Sequence, residues 1–384
     1  MTSRVSVSLF ILIALISLGV AQSPAPMVVS SSSLSAALPA SQWNRVESSV
    51  DRGLQWLSEQ QTDDGRFPSD EIAQPAVTAM GVMAFLSRGH LPDQGPYGEH
   101  ISRAIDFVLS TQRRRGYFSL RPVLPPAQHL TPAQTVVYNH SIAGLMLGEV
   151  YGMCSGERSQ RIEQAIHRAL IYHRQVQSRT KSAPSDIGGW RYGYPDSPAA
   201  SSDMSVTGWA LMFLRSARNA EFNVPKQYFD EGLDFVELCF ETDSGNHDKG
   251  VFRYRPPDSQ DNPQITLANT ASATLTLILG GRQDHVGVGA AVRWFRARSY
   301  PRPWENNYYY LASYYSSQAM AQVGGEAWEQ IFPQIAAGLI EGQTETGSWP
   351  TGGANEKKFG PTYSTSLAIL ALTPAYGLLP IYQR

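Results

Sequence analysis

The sequence predicts an all-α domain of six helix pairs closing into a ring, with an inner and an outer helical barrel. Three observations carry this expectation. A short phrase recurs: Gln61 to Phe67, Gln112 to Phe118 and Gln343 to Trp349 all read Gln-x-x-x-Gly-x-aromatic, and weaker copies sit at Gly188 to Trp190 and Lys249 to Phe252. Recurrence at intervals of several tens of residues marks a repeat architecture. Six segments also carry a single apolar stripe at helical spacing, and each is followed by a second segment that is apolar on most faces. A single stripe means one face packs and the other is wet, whereas a helix apolar all round is buried. Half-buried helices alternating with buried ones imply two layers, and closing the ring removes the end faces that an open solenoid must cap.

The elements follow in chain order. Residues 1–21 read as a signal peptide: Arg4 supplies the charge, Val5 to Val20 is nearly all apolar, and Gly19 to Ala21 places small residues at the cleavage position. That apolar run is short for a spanning helix, so the expectation is export to the periplasm or the cell exterior, with no transmembrane helix after cleavage and a retained N-terminal anchor as the lesser reading. Residues 22–41, rich in Ser, Ala and Pro, read as a linker, and 42–384 as the ring domain. The outer stripes are Val46, Val50, Leu54 and Leu57, then the runs beginning at Ile101, Ile162, Phe229, Val288 and Trp328. The inner partners fall at about 75–88, 138–151, 203–218, 266–280, 308–323 and 363–373. The fifth repeat departs from the pattern, with Pro301 to Trp304 standing where a glycine turn is expected.

Composition narrows the function. In 384 residues the net charge is −2, and Arg113 to Arg115 is the only dense basic run, so a nucleic-acid partner is not expected. The two cysteines, Cys154 and Cys239, suit either one disulfide in an exported protein or two buried free thiols. No Cys/His spacing resembles a metal site, and no cofactor motif is present.

The turn phrase and the six helix pairs resemble the repeats of the terpenoid cyclase and protein prenyltransferase family, whose fold is an (α/α)6 toroid. The resemblance covers nearly all of residues 42–384. Its sharpest local match is Ser202 to Gly208, Ser-Asp-Met-Ser-Val-Thr-Gly, which is similar to a stretch of oxidosqualene cyclases. By that resemblance Asp203 falls on the catalytic acid, which protonates an alkene or epoxide from within an apolar cavity. Met204 replaces the expected polar neighbour, no Asp-x-Asp-Asp occurs, and the chain has room for one barrel where those cyclases have two. The plainer reading of Asp203 is a helix N-cap. The prenyltransferase zinc set lacks its thiolate, since Asp203-Met-Ser205 stands where Asp-x-Cys is needed, which leaves His140 without co-ligands. A complement-type thioester is excluded because Cys154-Ser-Gly-Glu157 carries Glu where Gln is required.

The other inner-helix starts are also polar. In a closed ring His140, Asp203, Asn269, Tyr315 and Tyr363 are expected to converge on one pocket at the barrel mouth, with Trp209 available for stacking. A ligand- or partner-binding module or a divergent enzyme is therefore expected, with an isoprenoid, a glycan or a peptide as ligand. Two alternatives stand beside it. One is a cyclase-like isomerase with Asp203 as general acid and His140 assisting. The other is a polysaccharide-active toroid, for which no acidic residue, including Asp63, Asp64 and Glu345, is marked as one of a pair.

Overall fold

The computed structural model describes residues 34–122, 132–192, 200–242, 250–257, 264–301, 308–353 and 356–383. The signal peptide, most of the linker, Lys249 and the Arg302 to Trp304 stretch lie outside them. Among the described residues there are twelve α-helices and no strand, only isolated bridges. In chain order they are α1 (Ala40–Gln60), α2 (Ala76–Ser87), α3 (Gly98–Ser110), α4 (Pro132–Val150), α5 (Gly156–Gln177), α6 (Met204–Asn219), α7 (Lys226–Leu238), α8 (Leu267–Leu279), α9 (Val286–Arg296), α10 (Tyr309–Val323), α11 (Gly325–Gly342) and α12 (Gly360–Leu372).

Even-numbered helices form the inner barrel, each packing on the next, and α12 packs back on α2 to close the ring. Odd-numbered helices form the outer layer against them. The division follows from composition. Every residue of α2 and of α8 is buried, whereas α3 buries only a stripe that includes Ile101, Ala104, Ile105 and Val108. Packing begins earlier than position 42: Leu34 and Leu38 are buried, and the Leu34 carbonyl accepts a hydrogen bond from the Trp328 indole at 2.7 Å.

The repeated phrase is a staple between neighbouring outer helices. Gln61 donates from Nε2 to the Gly65 carbonyl of its own turn and to the His100 carbonyl on the next outer helix, both at 2.8 Å, while its Oε1 accepts from Arg103. Gln112 does the same to Gly116 and Ala165, with Arg168 as donor. Gln343 does it to Gly347 and Ser49, with Arg52 as donor, and so joins the last outer helix to the first. A fourth staple is Gln177, which binds Gly188 and Tyr228. The glycine is required twice over. Gly188 has φ +87°, and a Cβ there would lie 2.0 Å from the Glu231 carbonyl oxygen. The aromatic that follows is buried between layers, and its backbone N–H is held by an inner-helix threonine: Phe67 by Thr78, Trp190 by Thr207, Trp349 by Thr365. Cys154 and Cys239 are both free thiols.

The far end of the inner barrel is filled. Trp209 stacks on Tyr314 at 5.6 Å, and the Tyr314 hydroxyl lies 2.5 Å from that of Tyr382 in the C-terminal segment. Next to this contact the Ile381 N–H donates to buried Glu149 at 3.0 Å. At the opposite end, where the inner helices begin, the described residues enclose a cavity.

Candidate functional site

A cavity of about 670 Å³ opens at the inner-helix starts, within the size range of small-molecule sites. Its floor is apolar and aromatic: Ala76, Val77, Met80, Ile142, Trp209 and Tyr315. Tyr308, Phe359 and Tyr363 form one side, with Asn139 and Asn269 as polar points. The remaining wall is cationic. Arg191, Arg253 and Arg255 all reach the cavity, and Lys358 lies on its lining as well. No Asp or Glu is among the described lining residues.

The wall is built from the residues that follow two buried aromatics, Trp190 and Phe252. Arg191 and Tyr192 come directly after the first, and Arg253, Tyr254 and Arg255 after the second. Both arms are fixed to the start of α6: the Asp203 N–H donates to the Trp190 carbonyl at 2.9 Å, and the Met204 N–H to the Tyr254 carbonyl at 2.8 Å. Isolated bridges Phe240–Phe252 and Arg253–Ile265 brace the second arm.

Each residue of the Ser202 to Gly208 stretch has a task in this construction. The Ser202 N–H is taken by buried Asp186 at 2.7 Å. Asp203 caps α6, its Oδ1 accepting from the Val206 N–H at 2.9 Å and the Ser205 hydroxyl at 2.8 Å. Thr207 anchors Trp190, and Gly208 leaves room for Ser272, whose Oγ would lie 2.4 Å from an added Cβ. Behind the wall stand three carboxyl groups. Asp203 Oδ2 is 3.8 Å from Arg191 and Asp186 is 3.7 Å from Arg255, while Glu241 pairs with Arg253. Burial raises the Asp203 pKa above the ordinary carboxylate value; Arg191, the Val206 N–H, and the Ser205 and Tyr254 hydroxyls oppose it. The Ser205 hydroxyl is also 2.5 Å from that of Tyr138, and Ser205, Tyr138 and Tyr254 all line the cavity, so Asp203 is linked to the cavity through hydroxyl groups.

Of the six residues the sequence singled out, Asn269, Tyr315, Tyr363 and Trp209 line the cavity. Asp203 is fully buried directly behind its wall. His140 is elsewhere, which corrects the expected five-residue convergence. It sits on the face of α4 turned toward the outer layer, ringed by Phe118, Tyr172, His173 and Phe213 at centroid distances of 4.8 to 6.0 Å. Two positions along a helix turn a side chain through about 200°, so Tyr138 and His140 cannot face the same way. Burial drives the His140 pKa well below its ordinary value. Sequence reasoning missed the arginine wall, although Trp-Arg-Tyr and Phe-Arg-Tyr at two successive turns set these copies apart from Phe67-Pro, Phe118-Ser and Trp349-Pro. It also missed Glu356, buried beside the Tyr363 side chain and pushed up to about 8, mainly by burial. Among the described residues no group of three His, Cys, Asp or Glu could hold a metal, and no helix is long and apolar enough to cross a membrane.

Fold and site together define an (α/α)6 toroid with a ligand-sized cavity at one mouth. Its fold is shared with proteins of different activity. An inactive variant of the α-1,6-mannanase GH76A of Salegentibacter sp. HEL1_6, in complex with α-1,6-mannotetrose, aligns at TM-score 0.60 and 10% identity, covering 87% of this chain and 99% of that one. The type II terpene cyclase MstE from Scytonema aligns at TM-score 0.52 and 15% identity, covering 88% and 99%. A protein from Actinoplanes aligns at TM-score 0.53 and 16% identity, covering 86% and 99%. No protein-family model and no curated protein matches the chain. At these identities the likeness concerns the fold, and function has to be argued from the site.

Proposed function

We propose that the protein binds a small ligand with a largely apolar body in the cavity at the inner-helix starts. The observation that carries this reading is the cavity itself: about 670 Å³, floored by aliphatic and aromatic side chains, at the end of the barrel where the inner helices begin. Of the ligands in the neighbouring structures, an isoprenoid suits this floor better than a glycan. Glycoside hydrolysis needs two carboxyl groups flanking the bond, and the described lining offers none. Trp209 in the floor gives a direct test. Farnesol is expected to change tryptophan fluorescence saturably in the wild type, with the Trp209 component lost in Trp209→Phe, whereas α-1,6-mannotriose has no effect. Absence of saturable binding of farnesol and of its anionic analogues, by fluorescence and by calorimetry, would remove the reading, and saturable mannotriose binding would redirect it to glycans.

A second reading, catalysis with Asp203 as general acid, is supported by one specific arrangement. A buried carboxyl with a raised pKa is linked through Ser205 and Tyr138 to the aromatic cavity. In it, Asp203 supplies the proton, the two hydroxyls relay it, and aromatic faces stabilise the resulting cation. Linear isoprenoids incubated with wild type and with Asp203→Asn are analysed by gas chromatography and mass spectrometry. A cyclised product in the wild type alone supports the acid role, and equal turnover or none in both removes it. Export forms part of the same proposal. N-terminal sequencing of the mature protein is expected to begin at Gln22, and a mature chain beginning at Met1 would contradict it.

A further inference from the structure

We infer that the cavity takes an amphipathic anion, with a carboxylate or phosphate head seated on Arg191, Arg253 and Arg255 and its apolar body on the aromatic floor. This rests on the small-ligand reading above and names the chemistry of the ligand. The first ground is charge placement. Three guanidinium groups and Lys358 line the cavity, and every described carboxyl group of the site stands behind the lining. A half-buried wall of arginines facing inward, with its counter-charges on the dry side, presents positive potential to whatever enters.

The second ground is the state of Arg191. Its guanidinium lies over the Tyr192 ring at 4.6 Å and near the Tyr254 ring at 5.7 Å, which fixes its plane. One nitrogen is engaged by the Tyr192 hydroxyl at 3.0 Å. Nη1 is buried, has no hydrogen-bond partner, and stays 3.8 Å from Asp203, too far for a hydrogen bond. A half-buried, oriented guanidinium with one buried, unused donor is costly unless a ligand supplies the acceptor. A carboxylate or phosphate matches that donor geometry, whereas an alcohol supplies one weak acceptor. The third ground is the arrangement of the rest of the pocket. Trp209, Tyr315 and the aliphatic floor leave little for a second charged group to bind, so the head is at the wall and the body is apolar.

The test compares three ligands with one C15 prenyl body: farnesoate, farnesyl monophosphate and farnesol, titrated calorimetrically into the mature wild-type protein. At least one anion is expected to bind about tenfold or more tightly than the alcohol, equivalent to about 1.4 kcal/mol. That advantage is expected to shrink as salt rises from about 50 to about 500 mM. Whichever anion gains more identifies the head group. In Arg191→Gln and in Arg255→Gln the gap between anion and alcohol is expected to close, and in Arg191→Lys to be partly kept; circular dichroism verifies that each variant is folded. Equal wild-type binding of anions and alcohol, or a gap insensitive to both salt and Arg191→Gln, overturns the anion site and leaves the apolar-ligand reading standing. Failure of all three ligands to bind overturns both.

Discussion

Glu149 offers the most quantitative test of how the closed end of the barrel is held. It is buried on α4, its Oε1 2.6 Å from the Ser216 hydroxyl and its Oε2 accepting the Ile381 N–H at 3.0 Å. Burial raises its pKa from 4.5 to about 7, against the lowering effects of Ser216, the Ile381 N–H and Arg215. The folded state therefore holds the proton more tightly than the unfolded chain does. The stability this contributes is full below about pH 4.5 and is lost as pH rises through about 7. At about 1.36 kcal/mol per pKa unit, the difference between the limits is about 3 kcal/mol. The protonated carboxyl can donate to Ser216, whose own hydrogen turns to the Leu145 carbonyl at 3.1 Å, so every group in the cluster stays satisfied. Once ionised, the carboxylate is buried with only partial compensation. Glu149→Gln keeps the shape and removes the titration. Urea unfolding of both proteins at a series of pH values between about 4.5 and 8 should show the variant gaining on the wild type by about 3 kcal/mol across that range. The buried histidines titrate identically in both proteins and cancel in the difference. A difference in stability that stays constant with pH, within about 0.5 kcal/mol, would refute the buried, proton-holding Glu149 latch.

Three further outcomes follow from the scaffold. Gly188→Ala should cost about 3 kcal/mol or more, because it combines a positive φ with a Cβ 2.0 Å from a carbonyl oxygen, whereas Gly95→Ala, at φ +66° with open space around it, should cost about 1 kcal/mol; similar urea midpoints for the two would contradict the close-approach argument. Gln343→Ala removes the two donations to Ser49 and Gly347 that close the outer ring and should lower stability by about 2 kcal/mol in chemical denaturation; a loss below about 0.5 kcal/mol would mean the staple is decorative. His173 is pushed down to about 3 by burial, and His140, 5.4 Å away, also lies well below 6.5, so their stability is present above about pH 6.5 and is lost as pH falls. His140→Phe should accordingly gain on the wild type as pH falls from about 7 to about 4, and a pH-independent difference would show that His140 is charged or solvated in the fold.

The helices were legible because burial writes itself into composition. Inner helices such as α2 and α8 have no wet face, and their segments have almost no polar residues except small hydroxyls that bond back along the helix. The staples were legible where glutamine and glycine lie four apart. The fourth escaped notice because Gln177 and Gly188 are separated by eleven positions, with the Pro184–Asp186 turn between them. The pocket was legible only in part. Helix starts converge in any closed ring, so the polar residues there were sound candidates, but a spacing of one or two residues decides which face a side chain occupies. That is why Asn269 reaches the cavity and His140 does not. The arginines lie in connecting segments, where no periodicity announces a direction.

Those connecting segments explain how one scaffold can serve several chemistries. At the junctions of Phe67, Trp190, Phe252 and Trp349 the aromatic is fixed twice, by burial and by a threonine of the inner helix, so the residue after it leaves from a fixed point whatever its side chain. Where that residue is Pro68 or Pro350 the junction ends without reaching for a ligand. Where it is Arg191 or Arg253 it supplies the pocket wall. The staples do not depend on it, since their hydrogen bonds run through Gln, Gly and backbone carbonyls on the outside of the ring. Substituting the arginines should therefore change ligand binding while leaving the ring intact, and substituting the glutamines should do the reverse. Asp203 belongs to both systems. It caps α6, so it serves the scaffold, and it faces Arg191 from behind, so it sets the charge of the wall. Its loss should weaken the fold and the pocket together, and Asp203→Asn, which retains a capping oxygen but no charge, separates the two contributions.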